Sequence, residues 1–94
     1  MSESIVKIFK SLSSPTRYGI IRFLLNKKEW SCRELSKKFS LSQPALSHHF
    51  SKLIEARIIS ARKSGTENYY SINKTYLNKL GININKIIQK GKNI

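Results

Sequence analysis

The sequence of 94 residues contains no aspartate, a single cysteine and only five acidic residues, all of them glutamate. One cysteine cannot form an internal disulfide, which is typical of proteins from a reducing compartment. No apolar run approaches the roughly 20 residues of a membrane-spanning helix, and no signal peptide is recognisable after Met1. We therefore expect a cytoplasmic protein.

The residues that chemical catalysis needs are also scarce. The chain shows no paired carboxylates, no Ser-His-acid set, no glycine-rich phosphate loop and no cofactor fingerprint. Ser47 and His48 are neighbours on a predicted helix and point in diverging directions, so they do not form a nucleophile with its base. A tetrahedral metal site needs three or four converging ligands, and the chain offers one cysteine and two histidines. We predict that the protein is not an enzyme and holds no metal or cofactor.

Basic residues are abundant instead. Eighteen lysines and arginines give the chain a formal net charge of +13 at pH 7. Such an excess destabilises a compact chain through self-repulsion, and binding to a polyanion would offset that cost. The alternative interpretation is a solvated basic surface. Charge alone favours nucleic acid as the partner and does not exclude an anionic membrane.

Residues 41–53 combine one apolar helical face with a polar outer surface. Leu46, Phe50 and Leu53 follow the spacing i, i+4 and i+7. Ser42 suits the N-cap of this helix, and Pro44 stands where no backbone N–H is needed. A helix of this kind, with no acid in its first turn, suits the reading of base edges in the major groove.

A second predicted helix precedes this one at close range. Ser31 and Glu34 have the spacing of a capping box, and Leu35 and Phe39 form an apolar i, i+4 pair. With the turn at residues 40–42, the two helices make a helix-turn-helix over about residues 31–55.

The pattern then changes from helix to strand. Residues 58–62 and 68–72 are rich in β-branched and aromatic side chains, and Gly65 can turn the chain between them. This hairpin is the predicted wing, over about residues 58–72. We expect one domain over residues 1–94, mainly α with a small β-hairpin: a winged helix-turn-helix of order ααααββα.

The segment of residues 74–90 approximates an apolar helical stripe with a possible break at Gly81. Such a stripe needs a cover on so small a domain. The cover is either the same stripe of a second subunit or the first helix of the same monomer. We favour the dimer, because helix-turn-helix proteins usually bind two half-sites.

Three motifs in one order resemble the ArsR family of winged-helix repressors. They are Ser13-Ser14-Pro15-Thr16-Arg17 before an apolar helix, Leu41-Ser-Gln-Pro-Ala-Leu-Ser-His-His-Phe50, and Gly65 with Asn68-Tyr69-Tyr70-Ser71-Ile72. The resemblance runs from about Ile5 to Ile72. It implies a cytoplasmic homodimer that binds imperfect inverted repeats in double-stranded DNA and represses transcription.

The resemblance also implies roles for individual residues. Gln43, Ser47 and His48 are expected to read base edges; the alternative for Gln43 and Ser47 is ordinary solvated helix. A helical projection independently exposes His48, whereas His49 lies beside the apolar stripe and is expected to pack or to bond neighbouring backbone. Contacts to phosphate, in part from the wing, are expected from Ser42, Lys37, Lys38, Ser51, Lys52, Arg62 and Lys63.

In the family the first and last helices form the dimer interface. The corresponding apolar residues here, which we predict at that interface, are Ile5, Ile8, Phe9, Leu77, Leu80, Ile84, Ile87 and Ile88.

The sequence departs from the family at several places, among them the wing tip, where Thr66 and Glu67 follow Gly65 and the family favours Gly-Arg. Many members carry Cys-Val-Cys-Asp-Leu where this chain has Ser31-Cys-Arg-Glu-Leu35, so both metal-ligand positions are lost. The family's other metal site uses Asp, His and Glu of the last helix, and none of these follows Glu67. Arg57 stands where the family commonly has glycine, so either Arg57 is left-handed or the recognition helix ends differently.

Cys32 leaves one further hypothesis open. Its place near a helix N-terminus beside Arg33 would lower the pKa of the thiol and favour oxidation; the alternative is a small packed side chain. We favour a sequence-specific repressor without conventional metal sensing. The alternatives are an architectural or protein-interaction module that binds DNA without sequence preference, and a regulator that responds through Cys32 or a dimer-interface pocket. The sequence does not identify an effector.

Overall fold

The computed structural model describes the backbone of residues 2–92 and the side chains of residues 3–88. Residues 1, 93 and 94 of the predicted domain lie outside the described part. The elements follow in the order α1 (Ser2–Leu12), α2 (Pro15–Leu24), β1 (Trp30–Ser31), α3 (Cys32–Lys38), α4 (Gln43–Glu55), β2 (Ile59–Ser64), β3 (Glu67–Ile72), α5 (Lys74–Lys79) and α6 (Ile84–Lys92).

Side-chain caps begin three of these helices, and those of α3 and α4 lie where the sequence predicts them. Ser14 precedes Pro15 and accepts a hydrogen bond from the backbone of α2. The capping box of α3 is complete, because Ser31 Oγ accepts from the Glu34 backbone at 3.1 Å and a Glu34 carboxylate oxygen accepts from the Ser31 backbone at 2.9 Å. Ser42 Oγ accepts from the backbone of α4 at 3.2 Å. Each cap satisfies an N–H that the helix leaves unpaired.

The core forms where α2, α4 and the sheet meet. Leu46, Phe50 and Leu53 are buried as the helical stripe predicts. The Phe50 ring lies 4.1 Å, centroid to centroid, from the ring of Tyr70 on β3. This contact fixes α4 against the sheet, so its opposite side is left for solvent.

The sheet has one strand more than the sequence predicts. β2 and β3 form the expected hairpin, with Ser64 opposite Glu67 and Gly65 in the turn at φ +62°. In addition β1 pairs antiparallel with β3, which gives the strand order β1-β3-β2. The predicted order ααααββα therefore omits the short strand β1. It also has one helix after the hairpin, where the structure has α5 and α6.

At the end of α4, Arg57 takes the left-handed conformation, which is one of the two alternatives that the sequence leaves open. Arg57 adopts φ +61°. The Ile58 N–H donates to the carbonyl of Leu53 and the Arg57 N–H donates to the carbonyl of Ile54. This is a Schellman arrangement with arginine in the place usually taken by glycine, and it turns the chain directly into β2.

Part of the C-terminal stripe is buried within the protomer. The expected break is present, because α5 ends before Gly81 at φ +79° and α6 begins at Ile84. Four of the eight residues predicted at a dimer interface are buried core residues, namely Ile8, Leu77, Ile84 and Ile88. Their assignment to a surface between subunits is wrong, because these four side chains are already removed from water in the core of the protomer.

Candidate nucleic-acid interface

The outer side of α4 carries two adjacent rows of polar side chains. Gln43, Ser47 and Ser51 follow one another at intervals of four residues, and His48 and Lys52 form the next row. All five are exposed. The structure therefore brings the predicted base readers together on one helix that its apolar stripe holds on the core.

The first turn of α4 favours a negative group. It contains no acid, and the exposed Ser42 occupies the N-cap position. The N-terminus of a helix carries a partial positive charge and unpaired N–H groups, which suit a phosphate. Ser42 Oγ already accepts a hydrogen bond from Ala45, while its hydroxyl proton remains able to donate.

Exposed lysines flank this helix. Lys37 and Lys38 lie in the last turn of α3, just before the turn into α4. Lys52 has a carboxylate oxygen of Glu55 at 4.0 Å, and the two side chains are 49% and 68% exposed. Such an open pair is weak, so the charge of Lys52 stays available for a phosphate.

The wing arginine has a different partner from the one predicted. Arg62 donates from Nε and Nη2 to both carboxylate oxygens of Glu29, at 3.0 and 2.8 Å. Its guanidinium also lies 4.8 Å from the ring centroid of Tyr69. These bonds lower the pKa of Glu29 and raise the pKa of Arg62. The phosphate contact of Arg62 stays a prediction, in which a phosphate would compete with Glu29 for the guanidinium.

Lys63 lies on the other face of the hairpin. Alternation along β2 places Lys63 on the same face as Ile59, and the register places it opposite Asn68. That face continues from the buried Ile59 and Tyr70 toward α4. Lys63 is exposed near the tip of the wing.

His49 links α4 to the first two helices. Its Nδ1 lies 3.2 Å from Arg17 Nη1 and accepts that hydrogen bond, because an arginine has no acceptor. Arg17 Nε donates to the carbonyl of Ser11 at 2.7 Å. Burial, then the charge of Arg17 and then His48 lower the pKa of His49. The expected protection of His49 from solvent is present in part, with a side-chain partner in place of neighbouring backbone.

Cys32 lacks the environment of a reactive thiol. Burial raises its pKa, and the charge of Glu67 acts in the same direction. The predicted lowering by the helix N-terminus and Arg33 is wrong, because burial outweighs it. Within the described residues, no group of three or more histidine, cysteine or glutamate side chains is placed to hold a metal ion.

Two glutamates have structural roles that sequence reasoning missed. Glu29 holds Arg62, and Glu67 accepts a hydrogen bond from the Arg33 backbone at 3.3 Å. Both contacts join residues more than 30 positions apart, so no local pattern reveals them. Arg17 stands in a motif that the sequence singles out, yet its contact with His49 also depends on the fold. None of the helices that the structure describes is long and apolar enough to cross a membrane.

A short helix, a turn, a second helix with an exposed polar side and a following β-hairpin together define a winged helix-turn-helix protein. The family model described as "Bacterial regulatory protein, arsR family" matches residues 14–61. The chain belongs to this family and is a DNA-binding transcriptional regulator.

Known relatives agree with this assignment. The chain is 37% identical to the transcriptional repressor SdpR of Bacillus subtilis, over 74% of this chain and 77% of the relative. It is 34% identical to an arsenical resistance operon repressor of Staphylococcus xylosus, over 85% of this chain and 76% of the relative. HlyU from Vibrio cholerae has a similar structure, with a TM-score of 0.73 and 30% identity, over 84% of this chain and 85% of HlyU.

Proposed function

We propose that the protein is a homodimeric, sequence-specific repressor that binds an inverted-repeat operator without conventional metal sensing and without catalysis. The exposed double row of polar side chains on α4 carries this proposal. In it Gln43, Ser47 and His48 read base edges. The cytoplasm, where the regulated DNA lies, is its place of action.

Phosphate contacts position α4 in the major groove. We assign them to six exposed residues around that helix and on the wing, namely Ser42, Lys37, Lys38, Ser51, Lys52 and Lys63. Such contacts orient a protein on the duplex and carry no sequence information. Repression is supported by the relatives, which are named as repressors.

Dimerisation is supported by apolar side chains that α1 and α6 leave exposed. Phe9 is 63% exposed, Ile87 is 50% exposed and Val6 is 47% exposed, while neighbouring Ile8 and Ile88 are buried. A second copy would cover such a patch. Of the predicted interface residues, Ile5, Phe9, Leu80 and Ile87 remain in the proposed interface.

Selection from random duplex DNA with the purified protein at near-physiological salt tests the proposal. We expect a two-fold-symmetric motif with half-sites about 10 base pairs apart, centre to centre. Binding without an enriched motif would contradict sequence-specific repression. The net charge of +13 would then act without base readout, as in an architectural protein.

A further inference from the structure

A cavity of about 310 Å³ lies between α1, α2 and α4. Its lining includes Lys7, Lys10, Ser11, Arg17, Lys52 and Glu55. We propose that this cavity is a binding site for a phosphate group. The inference does not depend on the operator or on the dimer.

Positive charge dominates the walls. Three lysines and one arginine face the cavity against a single carboxylate, and that carboxylate lies 4.0 Å from Lys52 Nζ. Lys7 and Lys10 are three residues apart on α1 and therefore lie on one side of that helix. Like charges around one cavity repel each other, and a bound anion attracts each of them and so offsets that repulsion.

Arg17 is held in position for an anion. Its Nε donates to the carbonyl of Ser11 and its Nη1 donates to His49 Nδ1. Nη2 makes no hydrogen bond among the described residues. A guanidinium fixed through two of its nitrogens loses little conformational freedom on binding, and its planar shape matches the oxygens of a phosphate.

Ser11 gives an independent observation that points to a ligand. Ser11 is 6% exposed, and its Oγ has no hydrogen-bond partner in the described structure. Leaving a buried hydroxyl unpaired costs free energy. Ser11 lines the cavity, and in our proposal its hydroxyl turns toward a bound phosphate oxygen, the acceptor that it lacks in the free protein.

The bound phosphate group could belong to a small molecule or to DNA. The cavity volume is at the lower end for small-molecule sites and accommodates inorganic phosphate or the phosphate of a small metabolite. A backbone phosphate of DNA is the other source, since Lys52 lies on the exposed side of α4. Either occupant would bind the arginine that contacts His49, one residue from His48, and so connect the cavity to the recognition helix.

NMR titration of the full-length ¹⁵N-labelled protein tests the site and separates the sources. Inorganic phosphate is added at constant ionic strength, and a short duplex is added in a separate titration. We expect saturable shifts of the Ser11 and Arg17 amides with phosphate, which identify a free phosphate ligand. Saturable shifts of the Ser11 amide with duplex alone would assign the site to the DNA backbone. No saturable shift of either amide in both titrations would overturn the proposal.

Variants with a matched control sharpen the result. Lys10→Gln should weaken phosphate binding about tenfold, as the loss of one charged hydrogen bond predicts. Lys79→Gln removes one exposed charge outside the cavity and should leave the affinity unchanged. Ser11→Ala should weaken phosphate binding several-fold without lowering Tm in phosphate-free buffer. Equal losses in Lys10→Gln and Lys79→Gln would mean that bulk charge alone attracts the anion, and the proposal would be wrong.

Discussion

Neighbouring side chains of α4 differ in role because each occupies a different angle around the helix axis. Phe50 is buried against Tyr70 and fixes the helix on the core. His49 is half-buried and bonded to Arg17, and His48 is exposed. A single turn of the helix thus contains a side chain that packs in the core, a side chain that bonds another helix and a side chain able to contact DNA.

Replacement of His48 by alanine tests base reading. His48→Ala should cost about 1–3 kcal/mol of binding free energy on the selected operator. The loss on random duplex should be much smaller, because base contacts contribute little there. Fluorescence anisotropy at fixed salt measures the affinity for each duplex. We expect the same pattern of losses for Gln43→Ala. Lys37→Gln is the comparison for a phosphate contact and should weaken binding to the operator and to random duplex equally. Equal losses for His48→Ala on both duplexes would place His48 on the backbone.

His49 predicts a pH dependence of folding. Its folded pKa lies below the ordinary value of 6.5, first through burial and then through Arg17 and His48. As pH falls through 6.5 the unfolded chain takes up this proton first, so the free energy of unfolding falls between that pH and the lower folded pKa. The contribution of His49 to the free energy of unfolding should be complete at pH values above 6.5, the ordinary pKa of histidine. Urea unfolding between pH 5 and 8 measures this change.

Two asparagine variants isolate the contribution of His49. His49→Asn keeps an acceptor for Arg17 and does not titrate, so the stability profile should flatten over that range. His48→Asn removes the neighbouring exposed ring and should keep a profile close to that of the unchanged protein. A profile in His49→Asn as steep as in the unchanged protein would show that the pH dependence arises elsewhere.

Among the secondary-structure elements, α4 owes its C-terminal turn to strained backbone. Arg57 holds φ +61° and its guanidinium lies 5.5 Å from the Tyr76 ring centroid. Arg57→Ala removes the ring contact and keeps the strain, whereas Arg57→Gly removes both. The glycine variant should be more stable than the alanine variant by about 1 kcal/mol, because glycine adopts this conformation without Cβ strain. Chemical denaturation of both variants checks the difference, and equal stability would contradict the strain.

The wing contains two basic residues with different expected effects. Lys63→Gln should weaken binding to any duplex and reduce the dependence of affinity on salt, as the loss of one phosphate contact requires. Arg62→Gln should change the salt dependence less, since Glu29 neutralises Arg62 in the free protein. Affinities on random duplex over a series of salt concentrations compare the two. A larger change for Arg62→Gln would show that the ion pair opens on DNA.

Elements with local signals could be predicted from sequence, and contacts between distant elements could not. The caps at Ser31 and Ser42 and the stripe of α4 depend on residues within one or two turns. Strand β1 has two residues, too few for any periodicity, and forms through pairing with β3. The partner of Arg62 lies 33 positions away. For the same reason the sequence predicts the exposed polar side of α4 and does not reveal that Glu29 is the partner of Arg62.

Across the whole molecule, three of the five acidic residues make contacts that hold the fold. Glu29 and Glu34 pair with Arg62 and Lys27 at 2.8 Å, and Glu67 bonds the backbone of α3. These carboxylates stabilise the fold while most of the basic side chains remain exposed. A protein with this distribution of charge attracts a polyanion over its whole surface and needs the specific contacts of α4 to choose a sequence.

In our proposal the exposed apolar side chains of α1 and α6 form the dimer interface. A glutamate introduced there should have a different effect at an exposed position from the effect at a buried one. Phe9→Glu and Ile87→Glu place a carboxylate on the surface, so each should fold and sediment as a monomer with weakened operator affinity. Ile84→Glu is the comparison, because Ile84 is 3% exposed and a charge buried in the core should unfold the protomer. Sedimentation velocity gives the oligomeric state, and circular dichroism separates loss of assembly from loss of fold. Folded Phe9→Glu and Ile87→Glu proteins that both remain dimeric would place the interface on another surface.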